Sequence, residues 1–251
     1  MLLRSTASLL LASLLGATAF AAGTVSEKIT QTYPFNADGV VSLSGVNGSV
    51  EIIGWEKNEI SLEAEKIAAD AEGLAKMRVV IEHSPSHLQV KTEHERKWKL
   101  FGNNRAEVRY KLHVPTTAAL KKIAAVNASI TVRGVSGYVD LDTVNGAIEA
   151  EGLASGGRFD TVNGSIRVSF RQVAASDRIV LDTVNGSCEL TLPADAAFEL
   201  KADTVNGRIS CDFPLTLTKK GRSDLAGSSH GGGASVVLDS VNGALTVRAA
   251  K

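Results

Sequence analysis

Asp142-Thr143-Val144-Asn145-Gly146 is written again as Asp160-Thr161-Val162-Asn163-Gly164, Asp182-Thr183-Val184-Asn185-Gly186 and Asp203-Thr204-Val205-Asn206-Gly207. It returns once more, with serine for threonine, as Asp239-Ser240-Val241-Asn242-Gly243. The shorter word Val-Asn-Gly also occurs at Asn47, and at Asn127 with Ala128 in the glycine place. From Asn127 onward the asparagines are 18, 18, 22, 21 and 36 residues apart. A period of about twenty residues marks a solenoid or another stacked array, so function must be sought on a repeating surface.

With each asparagine as origin, the flanks are apolar at fixed offsets. Valine always precedes it, and four places before it stand Leu43, Ile123, Leu141, Phe159, Leu181, Ala202 and Leu238. Three places after it come Val50, Ile130, Ile148, Ile166, Cys188, Ile209 and Leu245, and five places after it Ile52, Val132, Ala150, Val168, Leu190, Cys211 and Val247. Steps of two are the strand period, in which alternate side chains face one core. The odd step from the aliphatic to the valine predicts a bulge or corner before the asparagine.

Asn-Gly between apolar runs is also the strongest short hairpin signal, because both residues tolerate positive φ. An antiparallel β-meander of hairpins is therefore the alternative architecture. A hairpin asks only for Asn-Gly, however, whereas five residues are repeated here. Such identity suits a β-solenoid with coils of about 20 residues. Each unit then meets a copy of itself about 4.8 Å away, and asparagine amides can bond along the stack.

The chain also resembles an adhesin-like family of bacterial exported proteins, a domain-of-unknown-function family built on Asn-Gly-x-Ile-x-Val units. Asn47-Gly48-Ser49-Val50-Glu51-Ile52, Asn145-Gly146-Ala147-Ile148 and Asn163-Gly164-Ser165-Ile166-Arg167-Val168 carry the resemblance. It implies an all-β, right-handed β-solenoid and a cell-envelope setting, and it brings no catalytic residues.

Met1 to about Ala21 reads as a secretory signal peptide, with Arg4, an apolar stretch from Leu9 to Leu15 and the small-x-small site Ala19-Phe20-Ala21. Residues 22–251 are expected to form a single β-solenoid domain, periplasmic or secreted. No later run reaches the roughly 18 apolar residues of a membrane-spanning helix. The chain has 27 basic and 27 acidic residues, and removal of Arg4 leaves 26 against 27, which gives no reason to expect a nucleic acid partner. Residues 67–115 depart from the repeat as an insertion or cap, with a short helix expected within Ala68 to Lys76. Residues 217–234 read as a flexible Gly/Ser loop.

Several features could carry chemistry. The aspartate column would repel by about 0.9 kcal/mol per adjacent pair even in water. Asx-turns are its structural explanation and a row of calcium ions its functional one. The ladder Asn47, Asn127, Asn145, Asn163, Asn185, Asn206 and Asn242 is expected to hold coils together. Cys188 and Cys211, taken as lying on neighbouring coils, are permitted a disulfide by an oxidising compartment, yet a diagonal offset of roughly 8 Å opposes it.

Arg96, Lys97, Trp98, Lys99, Phe101 and Arg105 combine cations with aromatics. They are the candidate binding segment for an anionic lipid surface, a glycan or a cell-envelope protein, or else a cap on the core. The five histidines form no metal-binding spacing, no nucleophile elbow or phosphate loop is present, and no cofactor is expected. The expected function is thus a non-catalytic envelope protein, adhesin-like or a scaffold. The alternatives are a β-helical polysaccharide lyase or hydrolase and a periplasmic stress or assembly component.

Overall fold

A computed structural model of the chain describes residues 19–20, 24–94 and 106–250. Most of the expected signal peptide lies outside the described residues, apart from Ala19–Phe20 of its small-x-small site, which pair antiparallel with Thr24 and Val25; the whole segment from Arg96 to Arg105 also lies outside them. The described residues are all-β apart from one short helix, Ala71–Ala75, and form two sheets of eleven strands each. None of their helices is long and apolar enough to cross a membrane.

Each repeat gives one strand to each sheet. The leading sheet takes Val40–Ser44, Ala119–Ala125, Val139–Asn145, Gly157–Asn163, Arg178–Asn185, Phe198–Asn206 and Ala234–Asn242. The trailing sheet takes their continuations, Asn47–Trp55, Asn127–Arg133, Ile148–Leu153, Ile166–Phe170, Cys188–Leu192, Ile209–Cys211 and Leu245–Ala249. Neighbouring units pair in parallel with like on like, so that Asp142, Asp160, Asp182, Asp239 and Asp203 are cross-strand partners in that order. Each Asn-Gly therefore joins one sheet to the other. Among the described strands, antiparallel pairs occur only toward the two ends.

Burial along a leading strand corrects the expected bulge. Leu141 and Thr143 are buried, while Asp142 and Val144 are exposed, which is unbroken strand alternation. The threonine, not the valine, points inward. Its hydroxyl is satisfied there: Thr143, Thr161 and Thr183 donate to the carbonyls of Ala128, Gly146 and Gly164 at 2.9–3.1 Å. Ser240 and Thr204 donate to those of Gly186 and Gly243 at 3.1 and 3.2 Å.

The same carbonyls explain the glycines. A Cβ on Gly164 would lie 1.9 Å from the oxygen of Gly146, and one on Gly186 1.8 Å from that of Gly164. Of the glycines that follow these asparagines, only Gly48 has positive φ, at 129°. Space between units, rather than a hairpin turn, sets the residue.

The stack is not in chain order. The last repeat lies between the two before it, because the strand Phe198–Asn206 has Ala234–Asn242 on one side and Asp224–Ser229 on the other. Residues 217–234, expected as a loop, hold most of an antiparallel hairpin of Thr216–Lys220 and Asp224–Ser229. Only its exit is a glycine turn, with φ positive from His230 through Gly233. That turn carries the chain past Phe198 to the inner side of its strand.

Cys188 and Cys211 are accordingly not on neighbouring units. Both flank the strand Leu245–Ala249, two spacings or about 9.6 Å apart before any offset, and both are free thiols. Burial, helped by Asp182 and Asp239, pushes the Cys188 thiol up to about 12, and burial also raises Cys211.

At the other end, residues 67–115 contribute Met77–Ser84 and His87–His94 to the leading sheet and Glu107–Pro115 to the trailing sheet. Glu59–Ala68 pairs antiparallel with Glu107–Pro115 and with Thr24–Pro34, extending the trailing sheet past the first repeat.

Two outcomes are expected. Gly164→Ala should cost about 2–3 kcal/mol, lowering Tm by roughly 5–10 °C, and Thr161→Val about 1 kcal/mol, while Ser165→Ala at the exposed next position leaves Tm unchanged in thermal melts. Alkylation at pH 8 without reductant should add two groups to the denatured chain and leave Cys188 of the native chain unmodified. An unmodified denatured chain would reveal a disulfide.

Candidate functional site

Where each leading strand meets its Asn-Gly corner, three outward rows run side by side along the stack: aspartate, valine and asparagine. The inward threonine between aspartate and valine fixes their direction. With its hydroxyl held by a carbonyl of the adjacent unit, the residues on either side must face solvent.

The asparagine row is one continuous chain of amides. In spatial order, Asn206 donates to Asn242, and the chain passes through Asn185, Asn163, Asn145 and Asn127 to Asn47. Each Nδ2 meets the next Oδ1 at 2.7–2.9 Å. Asn47 ends it by donating to the carbonyl of Ala106 at 3.2 Å. Every interior amide thus spends one N–H and one oxygen lone pair within the row and keeps the other of each for solvent or a ligand.

Beside it run Val126, Val144, Val162, Val184, Val241 and Val205. These are between 37% and 69% exposed, and together with Tyr138 and Leu217 they are the large hydrophobic residues most exposed among those described. Six valines at strand spacing make an apolar ridge about 24 Å long. The outward face of the trailing sheet is different, being crossed by ion pairs such as Arg133 between Glu51 and Glu151, Arg167 with Glu149, and Arg248 with Glu189. The ridge is the feature that the repeat alone did not reveal. Its signal was the threonine or serine two places before five of the asparagines, a residue whose side chain is short enough to be buried with its hydroxyl bonded.

On the far side of the valines, the five repeat aspartates are joined by Asp224, the cross-strand partner of Asp203. Cations meet only some of them: Arg158 forks onto Asp160 at 2.6 and 2.8 Å, Lys201 reaches Asp203 at 3.6 Å, and Lys219 reaches Asp224 at 3.6 Å. Asp239 is pushed up by burial first and then by Asp182 and Asp203. Asp160 is pushed up by burial, against the pull of Arg158. Among the described residues no three His, Cys, Asp or Glu side chains converge as a metal site.

Of the residues expected to bind, Arg96, Lys97, Trp98, Lys99, Phe101 and Arg105 lie outside the described residues. The strands on either side of that segment, His87–His94 and Glu107–Pro115, belong to different sheets.

Residues 121–248 match the Toastrack DUF4097 family. No curated protein matches the chain. Among solved structures, a "putative cell adhesion protein" from Clostridium sporogenes is similar at 14% identity and TM-score 0.46, over 90% of this chain and 100% of that one. A "putative adhesin" from Bacteroides fragilis shares 12% identity over 88% of this chain and 96% of its own, with TM-score 0.42. A "putative lipid binding protein" from Parabacteroides distasonis shares 12% identity over 89% and 97%, with TM-score 0.25.

The raised carboxyl of Asp239 has a pH signature. A folded-state value above the unfolded one means that the folded chain takes up the proton first. The associated stability is full below the unfolded value, near 3.9, and is lost as pH rises through the folded value. Asp239→Asn should therefore raise Tm at pH 7, with a gain that shrinks toward zero as melts are taken down to pH 4.

Proposed function

The chain belongs to the Toastrack DUF4097 family, and from that premise we propose that it is a non-catalytic, adhesin-like binding protein of the cell envelope. We read its architecture as a right-handed β-solenoid that is exported and held rigid by its stacked units. The observation that carries this reading is the valine ridge. Six apolar side chains in register beside a row of amides offer both dispersion contact and hydrogen bonds to an elongated partner. A surface of identical rows suits a ligand that is itself extended, such as another envelope protein or a glycan strand.

Catalysis would ask for groups driven apart in character by different surroundings. The valine and asparagine rows instead repeat the same residue in nearly the same setting, and the aspartates differ only in which of them meets a cation. The rows therefore support attachment rather than turnover.

The test is co-sedimentation of the chain with envelopes from the producing cells. Val144→Thr, Val162→Thr and Val184→Thr together keep β-branched side chains of similar size and interrupt the apolar ridge at three adjacent places of its six, so Tm should change by no more than a few degrees. The intact chain should sediment, and the triple variant should be retained at least tenfold less. The reading is overturned if the Thr variant sediments as well as the intact chain. It is equally overturned if Arg96→Gln, Lys97→Gln and Lys99→Gln abolish retention while the Thr variant keeps it, which would move binding to the basic and aromatic segment.

A further inference from the structure

The two sheets end unevenly. Beyond the strand Phe198–Asn206 the leading sheet continues for two more strands, the hairpin of Thr216–Lys220 and Asp224–Ser229. The trailing sheet stops at the three residues Ile209–Cys211. Between this short edge and the overhanging hairpin lies a slot of about 310 Å³. Its floor is apolar, formed by Ile209, Cys211, Phe213, Leu215, Leu217 and Leu225. Phe213 is buried edge-on against Phe198, with ring centroids 5.0 Å apart, which closes the core beneath the slot. Leu217 above it is 47% exposed.

The edge strand has a free side. Its pairing is with Leu245, Thr246 and Val247 alone, the N–H of Leu245 donating to Arg208 and that of Asp212 donating to Val247, each at 2.9 Å. In a parallel ladder, alternate residues direct both backbone groups to the same neighbour. Ser210 thus faces the partner strand, and Ile209 and Cys211 turn their N–H and C=O toward the slot.

The rim is cationic. Arg208, Lys220 and Arg222 line the slot, and none of them has an ion-pair partner among the described residues. The acid in the wall, Asp224, meets Lys219 at 3.6 Å through Oδ2, while its Oδ1 is buried without a hydrogen-bond partner among the described residues. Elsewhere on the trailing sheet, Arg133, Arg167 and Arg248 each have a glutamate.

We propose that this end of the stack is a strand-addition site, in which an extended polypeptide segment with alternating apolar and acidic side chains completes the trailing sheet alongside Ile209–Cys211. Its backbone pairs with the free groups of Ile209 and Cys211, its apolar side chains enter the slot, and its carboxylates meet Arg208, Lys220 and Arg222. Main-chain pairing supplies affinity in such a mode, and the pockets for alternate side chains supply selectivity. A second copy docking by this same end is disfavoured, since it would set three unpaired cations against three more. The site is separate from the valine ridge, which runs along the stack rather than closing it.

The probe is a fluorescein-labelled seven-residue peptide of alternating glutamate and valine, titrated by anisotropy against the intact chain at low salt. Saturable binding is expected, weakened at least tenfold in each of three comparisons. The first is a lysine and valine peptide of equal apolar content. The second is the same acidic peptide N-methylated at every glutamate and valine of its central five residues, which keeps charge and apolar side chains but cannot donate to the edge in either strand direction. The third is the variant Arg208→Gln with Arg222→Gln, both exposed positions that leave the fold intact. No saturable binding, or equal binding of the N-methylated peptide, overturns the proposal. Binding of phosphatidylglycerol vesicles or dodecanoate with none of the peptide also overturns it and makes the slot a site for an acyl chain.

Discussion

The structure depends on one carbonyl per unit. At the corner after each asparagine the backbone oxygen points along the stack toward the next unit, and two demands meet there. The next unit must supply a donor, which the buried threonine or serine hydroxyl does, and it must present no Cβ, which its glycine ensures. A buried carbonyl with no donor costs about 1–3 kcal/mol, and a methyl group 1.9 Å from it has nowhere to go. Thr and Gly are therefore specified together, three residues apart, by a single oxygen on the neighbouring strand.

The outward side chains follow from that inward one. Once threonine is turned to the core, alternation turns aspartate and valine to solvent, and in-register stacking lines up like with like. Stacking suits the three rows unequally. Amides gain, since each can donate and accept in the same direction along a ladder. Valines form a continuous apolar surface. Carboxylates lose, and among the described residues three cations meet the row of six. The rows are thus consequences of the interior before they are adaptations of the surface, and aspartate is the residue for which the fold supplies least compensation.

Much of this was legible before the structure. The period, the asparagine ladder and the apolar positions after each asparagine follow from spacing, because parallel register repeats whatever the sequence repeats. Valine was misread, since an apolar residue beside an aliphatic one is ordinarily assigned to the core and a threonine to the surface. Only the hydroxyl's acceptor, which lies on another strand, reverses that assignment. The order of the last two units was not legible either. Asp203-Thr204-Val205-Asn206-Gly207 and Asp239-Ser240-Val241-Asn242-Gly243 fit any neighbour equally well, so no local feature ranks one unit beside another. The hairpin decides it. By taking the outer side of Phe198–Asn206 it leaves the last repeat only the inner side. The same rearrangement separates the two cysteines, which chain order had placed side by side.

A stack of like units has only two places where residues are unlike their neighbours, and these are its ends. In the middle, every backbone group and every row is completed by the next copy, so any partner there must read a pattern that repeats. At the end with Glu59–Ala68 and Thr24–Pro34, antiparallel strands continue the trailing sheet well past the first repeat. At the opposite end, among the described residues, only the leading sheet is continued, and the trailing sheet is left with three residues beside an apolar slot and three cations that have no ion-pair partner there. A repeating ridge can select for length and regularity but not for one particular sequence. An incomplete end, which occurs once, can do so. The proposed ridge and the proposed slot would thus divide recognition by pattern from recognition by sequence, and the hairpin, by taking the outer side of Phe198–Asn206, is what gives the stack its uneven end.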